Sequence, residues 1–212
     1  MNNILTVCEF FSSIQGESSY AGVPCFFIRL TGCNLRCSYC DTSYAFTEGT
    51  DYSIAQIIQK SKLSGIRLVE ITGGEPLMQD KTPLLIDQLI DLNYEVLIET
   101  NGSIGIKDIN KNAVIIMDIK TPSSGVADNN YLQNIDYLKS TDEVKFVISD
   151  KRDFDWAAAL IKRYKMEQSF KILLSPLGDP EILTQWMLIS HIKARLNLQI
   201  HKYIFKDSLR GR

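Results

Sequence analysis

The sequence predicts an α/β fold in which a partial, open barrel of six parallel strands is covered by helices. Six short runs rich in β-branched and apolar residues recur along the chain, at intervals that leave room for a helix between them. The runs are continuously apolar rather than alternating, which is typical of parallel strands buried on both faces. Six strands are too few to close an eight-stranded barrel, so an open arrangement is expected.

Each predicted strand is a short apolar run, and the predicted helices begin at residues that can cap them. The strands are expected at 25–30, 67–72, 94–99, 113–118, 143–148 and 170–174. The helices are expected at 54–62 after Ser53, from Thr82 and Pro83 to 92, from Asp153 or Asp155 to 165, and from Asp179 and Pro180 to about 195. Serine, threonine and aspartate are preferred caps, and proline is favoured in the first helical turn. Strands and helices should therefore alternate along the chain.

Length, composition and charge narrow the class of protein. The 212 residues, 45% of them hydrophobic, suit a single domain spanning 1–212. The formal net charge of −2 and the pI near 5.7 provide no basic field for nucleic acid. No apolar run reaches the roughly 18 residues of a membrane-spanning helix, and the first residues lack the basic start and apolar run of a signal peptide. We therefore expect a cytoplasmic protein that acts on a small molecule and binds neither nucleic acid nor membrane.

Three of the five cysteines, Cys33, Cys37 and Cys40, lie within eight residues. A Cys-x3-Cys-x2-Cys loop can direct three thiolates at one iron–sulfur cluster and leave one iron without a protein ligand. Zinc prefers the same soft donors, but a structural zinc site needs four ligands. The candidates for a fourth ligand lie far along the chain: Cys8, Cys25, His191 and His201. A cluster is therefore favoured over zinc, and further over a disulfide, and the two isolated cysteines are expected to be core thiols.

Other unusual residues follow the predicted strands. The segments are Thr72-Gly73-Gly74-Glu75-Pro76, Glu99-Thr100-Asn101-Gly102 and Asp118-Ile119-Lys120. Because parallel α/β folds bind ligands at the carboxyl ends of their strands, these segments should meet the cysteine loop at one rim. Paired glycines let a backbone approach a ligand closely, although each turn taken alone is equally an ordinary turn. Together the segments predict a bound cofactor with a polar amino-acid end and a ribose.

The cysteine loop, with Tyr39 before its last cysteine and Gly-Gly-Glu-Pro after the next strand, resembles the radical S-adenosylmethionine superfamily. The resemblance implies a 4Fe-4S cluster on Cys33, Cys37 and Cys40, with S-adenosylmethionine chelated to the open iron. It implies cofactor contacts at Tyr39, Gly73, Gly74, Glu75, Glu99, Asp118, Ile119 and Lys120. An electron from the cluster, supplied by a separate electron donor, cleaves the sulfonium of such a cofactor to a 5′-deoxyadenosyl radical.

Further motifs, spread over the whole chain, resemble the 7-carboxy-7-deazaguanine synthase family. They are Ile14-Gln15-Gly16-Glu17, Arg29, Cys40-Asp41-Thr42, the two glycine-containing strand ends above, and His201-Lys202-Tyr203. The resemblance implies a homodimeric enzyme that converts 6-carboxy-5,6,7,8-tetrahydropterin to 7-carboxy-7-deazaguanine with loss of ammonia, in queuosine and 7-deazapurine biosynthesis. It implies substrate contacts at Ile14, Gln15, Gly16, Glu17, Arg29, Thr72 and His201, and a magnesium ion on Thr42. No role for residues 204–212 follows from it.

The chemistry of these residues agrees with such a substrate but leaves alternatives open. The guanidinium of Arg29 can bind a carboxylate with two parallel hydrogen bonds, or it can pair with an acid such as Glu17. Magnesium takes oxygen ligands and keeps several waters, so the Thr42 hydroxyl can serve it, although Thr42 is otherwise a turn or cap residue. Two other functions stay open: an activase that installs a glycyl radical on a protein, and a non-enzymatic zinc or electron-carrier module.

Overall fold

The computed structural model of the chain describes residues 3–205 and 210–211. Its strands are β1 (Ile4–Ile14), β2 (Pro24–Leu30), β3 (Thr50–Ser53), β4 (Leu68–Gly73), β5 (Glu95–Thr100), β6 (Val114–Asp118), β7 (Glu143–Ile148), β8 (Lys171–Pro176) and β9 (Arg195–Leu196). They form one nine-stranded sheet in the order β3-β1-β2-β4-β5-β6-β7-β8-β9. Neighbours from β2 to β9 are parallel, whereas β1 pairs antiparallel with both β2 and β3. The open, mostly parallel α/β sheet confirms the predicted fold class.

All six predicted strands are present, with bounds that differ by one or two residues at most. The structure adds β1, β3 and β9, so the prediction of six strands, all parallel, is incomplete. Most residues of β1 are half-buried, and β3 is the polar sequence Thr50-Asp51-Tyr52-Ser53. Continuous apolar runs identify strands that are buried on both faces, and strands at the margins of a sheet lack that signal.

The described residues contain five α-helices: α1 (Ile54–Ser64), α2 (Thr82–Asp91), α3 (Lys151–Arg163), α4 (Pro180–Ser190) and α5 (Ile200–Ile204). Ser53 caps α1 as predicted, because its hydroxyl accepts the Gln56 amide while the Gln56 side chain accepts the Ser53 amide. Asp179 caps α4 as predicted, but α4 ends before 195 because His191 adopts a left-handed conformation with φ of 54°. None of these helices is long and apolar enough to cross a membrane.

Two helix starts differ from the prediction. Thr82 is the first residue of α2 rather than its cap, and its hydroxyl donates to the Pro76 carbonyl at 2.6 Å. Neither Asp153 nor Asp155 caps α3. The cap is Asp150, whose carboxylate accepts the Asp153 amide at 2.9 Å. In both cases a polar residue close to the true start was mistaken for the cap itself.

Side chains of the central strands alternate between two faces of the sheet. Those on the outer face pack with the helices in one apolar core, which includes the fully buried Ile28, Ile71, Ile98 and Val144. The inner face carries a second apolar cluster toward the amino ends of the strands: Cys25, Phe27, Leu68, Leu97, Val114 and Ile116. The next inward positions are polar or charged: Arg29, Glu70, Thr72, Glu99, Asp118 and Lys145. The strands therefore place charge beside their carboxyl ends.

The loop between β1 and β2 covers the base of the inner face. Tyr20 packs against the inner apolar cluster, and the amide and hydroxyl of Ser19 donate to the buried Glu143 carboxylate. On the other side, the Ile200 amide at the start of α5 donates to the Gly16 carbonyl at 2.9 Å. The loop thus joins the beginning of the sheet to the carboxyl-terminal helix and bridges the open side of the sheet.

Candidate active site

A cavity of about 230 Å³ lies at the carboxyl ends of the parallel strands, where the sequence predicts the site. Most predicted site residues line it: Gln15, Gly16, Glu17, Arg29, Cys33, Cys37, Tyr39, Cys40, Thr42, Thr72, Gly73, Gly74, Glu99, Asp118, Lys120 and His201. Within the described part of the chain, three predicted contacts do not line it: Ile14, Glu75 and Ile119. The fold therefore brings the cysteine loop and the charged inner-face residues to one cavity.

The clustered cysteines line this cavity as half-buried thiols. The structure describes all five cysteines and none forms a disulfide, so the disulfide alternative is wrong. Cys33 Sγ accepts hydrogen bonds from the Leu35 amide at 3.4 Å and from Asn101 Nδ2 at 3.9 Å. Burial raises the pKa of the Cys33 and Cys37 thiols, and the Lys120 ammonium opposes this rise at Cys37.

The donor set of the cysteine loop suits an iron–sulfur cluster better than zinc. Among residues 3–205 and 210–211, no group of three or more His, Cys, Asp or Glu side chains is positioned to hold a metal ion, and this holds for the three clustered cysteines as well as for a four-ligand zinc site. Three soft thiols nevertheless face one cavity, and N–H···S hydrogen bonds such as those to Cys33 are typical of cluster sites. Ligation of iron by the three cysteines stays a prediction.

Gly73 and Gly74 let the end of β4 pass close to the end of β2. Gly73 has φ of 147°, and a Cβ at this position would collide with the Leu30 backbone. A Cβ at Gly74 would collide with the Gly32 carbonyl. Both glycines also line the cavity. The close approach that they permit is therefore to the neighbouring strand, and their contact with a cofactor stays a prediction.

Glu75 lies behind the cavity wall. Its carboxylate accepts hydrogen bonds from the Leu77 amide at 3.0 Å, the Thr100 hydroxyl at 2.8 Å and the Asn101 amide at 2.6 Å. Burial raises its pKa, and these hydrogen bonds oppose the rise. The position of the carboxylate does not support the predicted side-chain contact with a cofactor, because this group instead joins the ends of β4 and β5.

Ile119 and Ile14 also lie outside the cavity lining in the described structure. Ile119 is buried in the outer core, because a shift of one residue along an extended chain turns the side chain to the opposite face. Its neighbours Asp118 and Lys120 reach the cavity instead. Ile14 pairs with Pro24 at the end of β1. Contact of either isoleucine with a ligand would have to involve its backbone.

Asp118 presents a buried acceptor to the cavity. Its Oδ2 lies 3.0 Å from Lys120 Nζ and 3.3 Å from Lys145 Nζ, while Oδ1 is buried without a hydrogen-bond partner among the described residues. Burial opposes ionisation, but the two ammonium groups outweigh it and hold the pKa of Asp118 below its usual value. A ligand hydroxyl or amino group would satisfy Oδ1, which fits the ribose or amino-acid end of a cofactor such as S-adenosylmethionine.

Arg29 forms a salt bridge with an acid, as the alternative interpretation predicts, but the acid is Glu9 and not Glu17. Arg29 Nε donates to Glu9 Oε1 at 2.7 Å, and the Tyr44 hydroxyl donates to the same oxygen at 2.9 Å. Arg29 nevertheless lines the cavity beside Thr72, its register partner on β4. A guanidinium held at one nitrogen keeps further N–H donors for a ligand, which suits the predicted contact with a carboxylate.

The Gln15-Gly16-Glu17 segment is held in place by protein contacts. Gln15 is buried, its amide nitrogen donates to Glu70, and its oxygen accepts the Glu17 amide. His201 packs closely against Gly16, since a Cβ on this glycine would collide with the imidazole. The segment and α5 therefore form one wall of the cavity, in which the Gln15 side chain serves mainly to shape the turn.

The carboxyl-terminal segment also reaches the cavity through Arg210 and Gly211. Arg210 Nη1 lies 2.8 Å from Glu48 Oε2, and its guanidinium lies 4.2 Å from the centre of the Tyr44 ring. Residues 206–209 and 212 lie outside the described part of the chain. No role is predicted for this segment from the sequence.

Two buried residues of the cavity with ionisable side chains, Lys145 and Glu70, were not predicted from the sequence. Both line the cavity, and only 5% and 2% of their surfaces are exposed. Lys145 forms ion pairs with Glu17, Glu99 and Asp118. Burial disfavours the charge of Lys145, but the carboxylates outweigh burial and raise its pKa. The signal that could have revealed both residues is an ionisable residue inside an apolar strand. Burying an unpaired charge costs free energy, so such a residue indicates a buried partner.

Glu70 and Glu17 differ in charge although they lie close together. Burial raises the pKa of Glu70 to about 8, Glu99 adds to the rise, and the hydrogen bond from Gln15 opposes it. Burial also opposes ionisation of Glu17, but the Lys145 ammonium outweighs it and holds the pKa of Glu17 below its usual value. At neutral pH the network therefore contains a protonated Glu70 beside an ionised Glu17.

The chain is similar to known proteins over most of its length. The model of the Radical SAM superfamily matches residues 27–173. The 7-carboxy-7-deazaguanine synthase of Koribacter versatilis is 38% identical, over 98% of this chain and 100% of its own length. The 7-carboxy-7-deazaguanine synthase of Chlorobaculum tepidum is also 38% identical, over 98% of this chain and 97% of its own length.

Solved structures show the same fold. QueE from Escherichia coli superposes with a TM-score of 0.80 at 24% identity, over 92% of this chain and 94% of that one. SuiB from Streptococcus suis, solved with S-adenosylmethionine, superposes with a TM-score of 0.50 at 15% identity, over 79% of this chain and 44% of that one. The superfamily match and the nearly full-length relatives show that the chain belongs to the radical SAM superfamily and, within it, to the 7-carboxy-7-deazaguanine synthase family.

Proposed function

We propose that this protein converts 6-carboxy-5,6,7,8-tetrahydropterin to 7-carboxy-7-deazaguanine with loss of ammonia, in queuosine and 7-deazapurine biosynthesis. The observation that carries the proposal is one cavity that is lined by three cysteine thiols together with a guanidinium, carboxylates and the ammonium groups of Lys120 and Lys145. Relatives that match nearly the whole chain carry the name of this activity. Neither the glycyl-radical activase nor the zinc or electron-carrier module is favoured by these relatives.

Membership of the superfamily implies a 4Fe-4S cluster and S-adenosylmethionine. Cys33, Cys37 and Cys40 would hold the cluster, and Tyr39, Asp118 and Lys120 would bind S-adenosylmethionine. When bound, these groups supply a carbon radical that can remove one hydrogen atom from the substrate. Cys33, Cys37 and Cys40 are half-buried, which would limit the access of water to the cluster, and the unpartnered Oδ1 of Asp118 would accept a hydrogen bond from a hydroxyl or amino group of the cofactor.

The opposite wall has the chemistry that a carboxylated pterin needs. Arg29 donates to Glu9 through Nε, and we propose that its other N–H groups bind the carboxylate of the substrate. The amino group and ring N–H of a pterin form a pair of donors, which matches the ionised carboxylate of Glu17. Thr72 donates to Glu99 at 3.4 Å, and its strand β4 lies between β2, which carries Arg29, and β5, which carries Glu99. His201 closes this wall through its contact with Gly16.

We also propose that a magnesium ion binds beside the substrate, with the Thr42 hydroxyl as one ligand. Thr42 lines the cavity, and its Oγ1 lies 3.9 Å from Cys40 Sγ, between the cysteine loop and the substrate wall. Substrate oxygens and waters would complete the coordination, as is usual for Mg²⁺. We expect Thr42→Ala to raise the magnesium concentration needed for half-maximal turnover about tenfold or more, while S-adenosylmethionine cleavage without the pterin is unchanged. The same magnesium dependence in both proteins would contradict this role.

A homodimer, a cytoplasmic location and a separate electron donor complete the proposal. The resemblance to the family supports the dimer and the donor, and the clustered free cysteines, which a reducing compartment preserves, support the location. Sedimentation equilibrium of the purified protein tests the first of these directly. A single species of 24.0 kDa, the mass of one chain, would contradict the dimer.

The experiment that tests the proposed function is an anaerobic turnover assay. The protein is reconstituted with iron and sulfide, then mixed with dithionite, S-adenosylmethionine, magnesium and the carboxytetrahydropterin. We expect 7-carboxy-7-deazaguanine by mass spectrometry, and none from Cys37→Ala, which lacks one predicted cluster ligand. Cys25→Ala is the matched control, since this buried cysteine belongs to the inner apolar cluster and lies outside the cavity lining of the described residues. A cluster-loaded protein that forms no product would contradict the proposal.

A further inference from the structure

Six acidic or basic side chains line the inner part of the cavity, and one of them contacts three of the others. The six are Glu17, Glu70, Glu99, Asp118, Lys120 and Lys145. Lys145 Nζ lies 3.2 Å from Glu17 Oε2 and 3.3 Å from Asp118 Oδ2, and it donates to Glu99 Oε1. Because an ammonium carries three N–H donors, these carboxylates match its full hydrogen-bonding capacity.

The three carboxylates come from different parts of the chain. Glu17 follows β1, Glu99 lies on β5 and Asp118 ends β6, while Lys145 on β7 is the register partner of Asp118. Their assigned ligands also differ. Glu17 faces the pterin side of the cavity, whereas Glu99 and Asp118 face the S-adenosylmethionine side. Lys145 therefore joins the two halves of the site through direct ion pairs.

Other cations near the network do not duplicate these contacts. Among the described residues, Lys120 forms an ion pair with Asp118, whereas Glu17 and Glu99 have theirs with Lys145. His201 adds a weaker favourable field at Glu17. Without Lys145, buried carboxylates would face one another without a shared cation, and they would repel or take up protons.

We propose that Lys145 is a positioning residue that holds Glu17, Glu99 and Asp118 around one point and thereby couples pterin binding to S-adenosylmethionine binding. This inference rests on the proposed function, from which it takes the two ligands. Donors of the pterin at Glu17 take over part of the hydrogen bonding that Glu17 receives from Lys145, so the ammonium is held more closely by Glu99 and Asp118 and fixes these two carboxylates for S-adenosylmethionine. The coupling is reciprocal, and each ligand tightens the binding of the other by the same factor.

The test measures S-adenosylmethionine affinity by anaerobic equilibrium dialysis, with and without 6-carboxy-5,6,7,8-tetrahydropterin, with the cluster kept oxidised so that no turnover occurs. In the unaltered protein we expect the pterin to tighten binding about tenfold. In Lys145→Met this ratio should fall to near one, and Lys145→Arg, which keeps the charge, should restore part of it. Lys139→Gln is the matched control, because Lys139 also pairs with a buried aspartate, Asp142, but does not line the cavity of the described structure.

An unchanged ratio in Lys145→Met would overturn the inference. If circular dichroism shows that this variant does not fold, Lys145→Gln takes its place, since its amide keeps hydrogen-bond donors but carries no charge. An unchanged ratio in that variant would overturn the inference equally. Failure of the proposed function gives a different result, because the unaltered protein would then neither bind the pterin nor form the product. A protein that forms product with a ratio near one contradicts the role of Lys145 alone.

Discussion

Adjacent residues on the central strands face two different environments. On β5, Ile98 is fully buried against the helices, and the next residue, Glu99, lines the cavity. On β7, Val144 is buried in the same outer core, and the next residue, Lys145, holds the carboxylate network. The outer face is one continuous apolar core. The inner face changes from apolar at its base to charged at its rim.

The difference shows which face stabilises the fold and which face serves ligands. Burial of apolar side chains on the outer face stabilises the folded state by roughly 1.5–3 kcal/mol for each large residue. Buried ion pairs on the inner face contribute little net stability, because desolvation offsets much of the attraction between their charges. Charged residues that are kept on the buried inner face, where they add little stability, therefore indicate a role in ligand binding or catalysis.

The largest expected effect is a contrast between two separate substitutions, one on the outer face and one on the inner face. Ile98→Ala should lower the free energy of unfolding by about 2–5 kcal/mol, because it leaves a cavity in the outer core, while turnover per folded molecule is retained. Glu99→Gln should change stability by less than about 1.5 kcal/mol and lower turnover more than tenfold. Urea denaturation and the anaerobic assay measure the two quantities. Equal losses of stability and activity in both variants would remove the distinction between the faces.

A second expected effect is a dependence of stability on pH that originates on the inner face. The pKa of Glu70 is raised to about 8 in the folded protein, against about 4.3 in an unfolded chain. A raised carboxyl pKa favours the folded state at low pH, and this contribution is lost as pH rises toward 8. Between pH 6 and pH 9 the unaltered protein should therefore lose about 2–3 kcal/mol more stability than Glu70→Gln. Parallel stability curves for the two proteins would show that Glu70 is ionised at neutral pH.

The smallest expected effect lies on the outer layer, at the start of α1. Ser53→Ala removes the hydroxyl that accepts the Gln56 amide and should lower the free energy of unfolding by about 1 kcal/mol. Ser190→Ala at the end of α4, where the serine is exposed, should change it by less than about 0.5 kcal/mol. Turnover should be unchanged in both variants. A loss of turnover in Ser53→Ala would contradict the separation between an outer face that stabilises the fold and an inner face that serves the reaction.

The sequence predicted the core of the fold and the place of the site, because both depend on local patterns. Continuous apolar runs identified the six central parallel strands, and the cysteine loop and glycine turns follow strand ends that converge in space. The margins β1, β3 and β9 were not predicted, since half-buried or very short strands have no such run.

The details of the site depend on partners that are distant in sequence. Glu9 became the partner of Arg29 through the antiparallel pairing of β1 and β2, which no local pattern reveals. Glu75 turned out to join two strand ends rather than to face the cavity. Lys145 was not predicted, because the apolar residues around it indicate a strand whereas the carboxylates that pair with it are distant in sequence.

We propose that the pterin binds at the charged rim of the inner face, where Arg29 lies. The most direct test is calorimetric titration of 6-carboxy-5,6,7,8-tetrahydropterin with magnesium into the unaltered protein, Arg29→Gln and the control Arg67→Gln, whose arginine lies beside Tyr94 away from the cavity. We predict one site per chain, with affinity lowered about 10–100-fold in Arg29→Gln by the loss of charged hydrogen bonds and unchanged in the control. Equal affinities in all three proteins would contradict the claim.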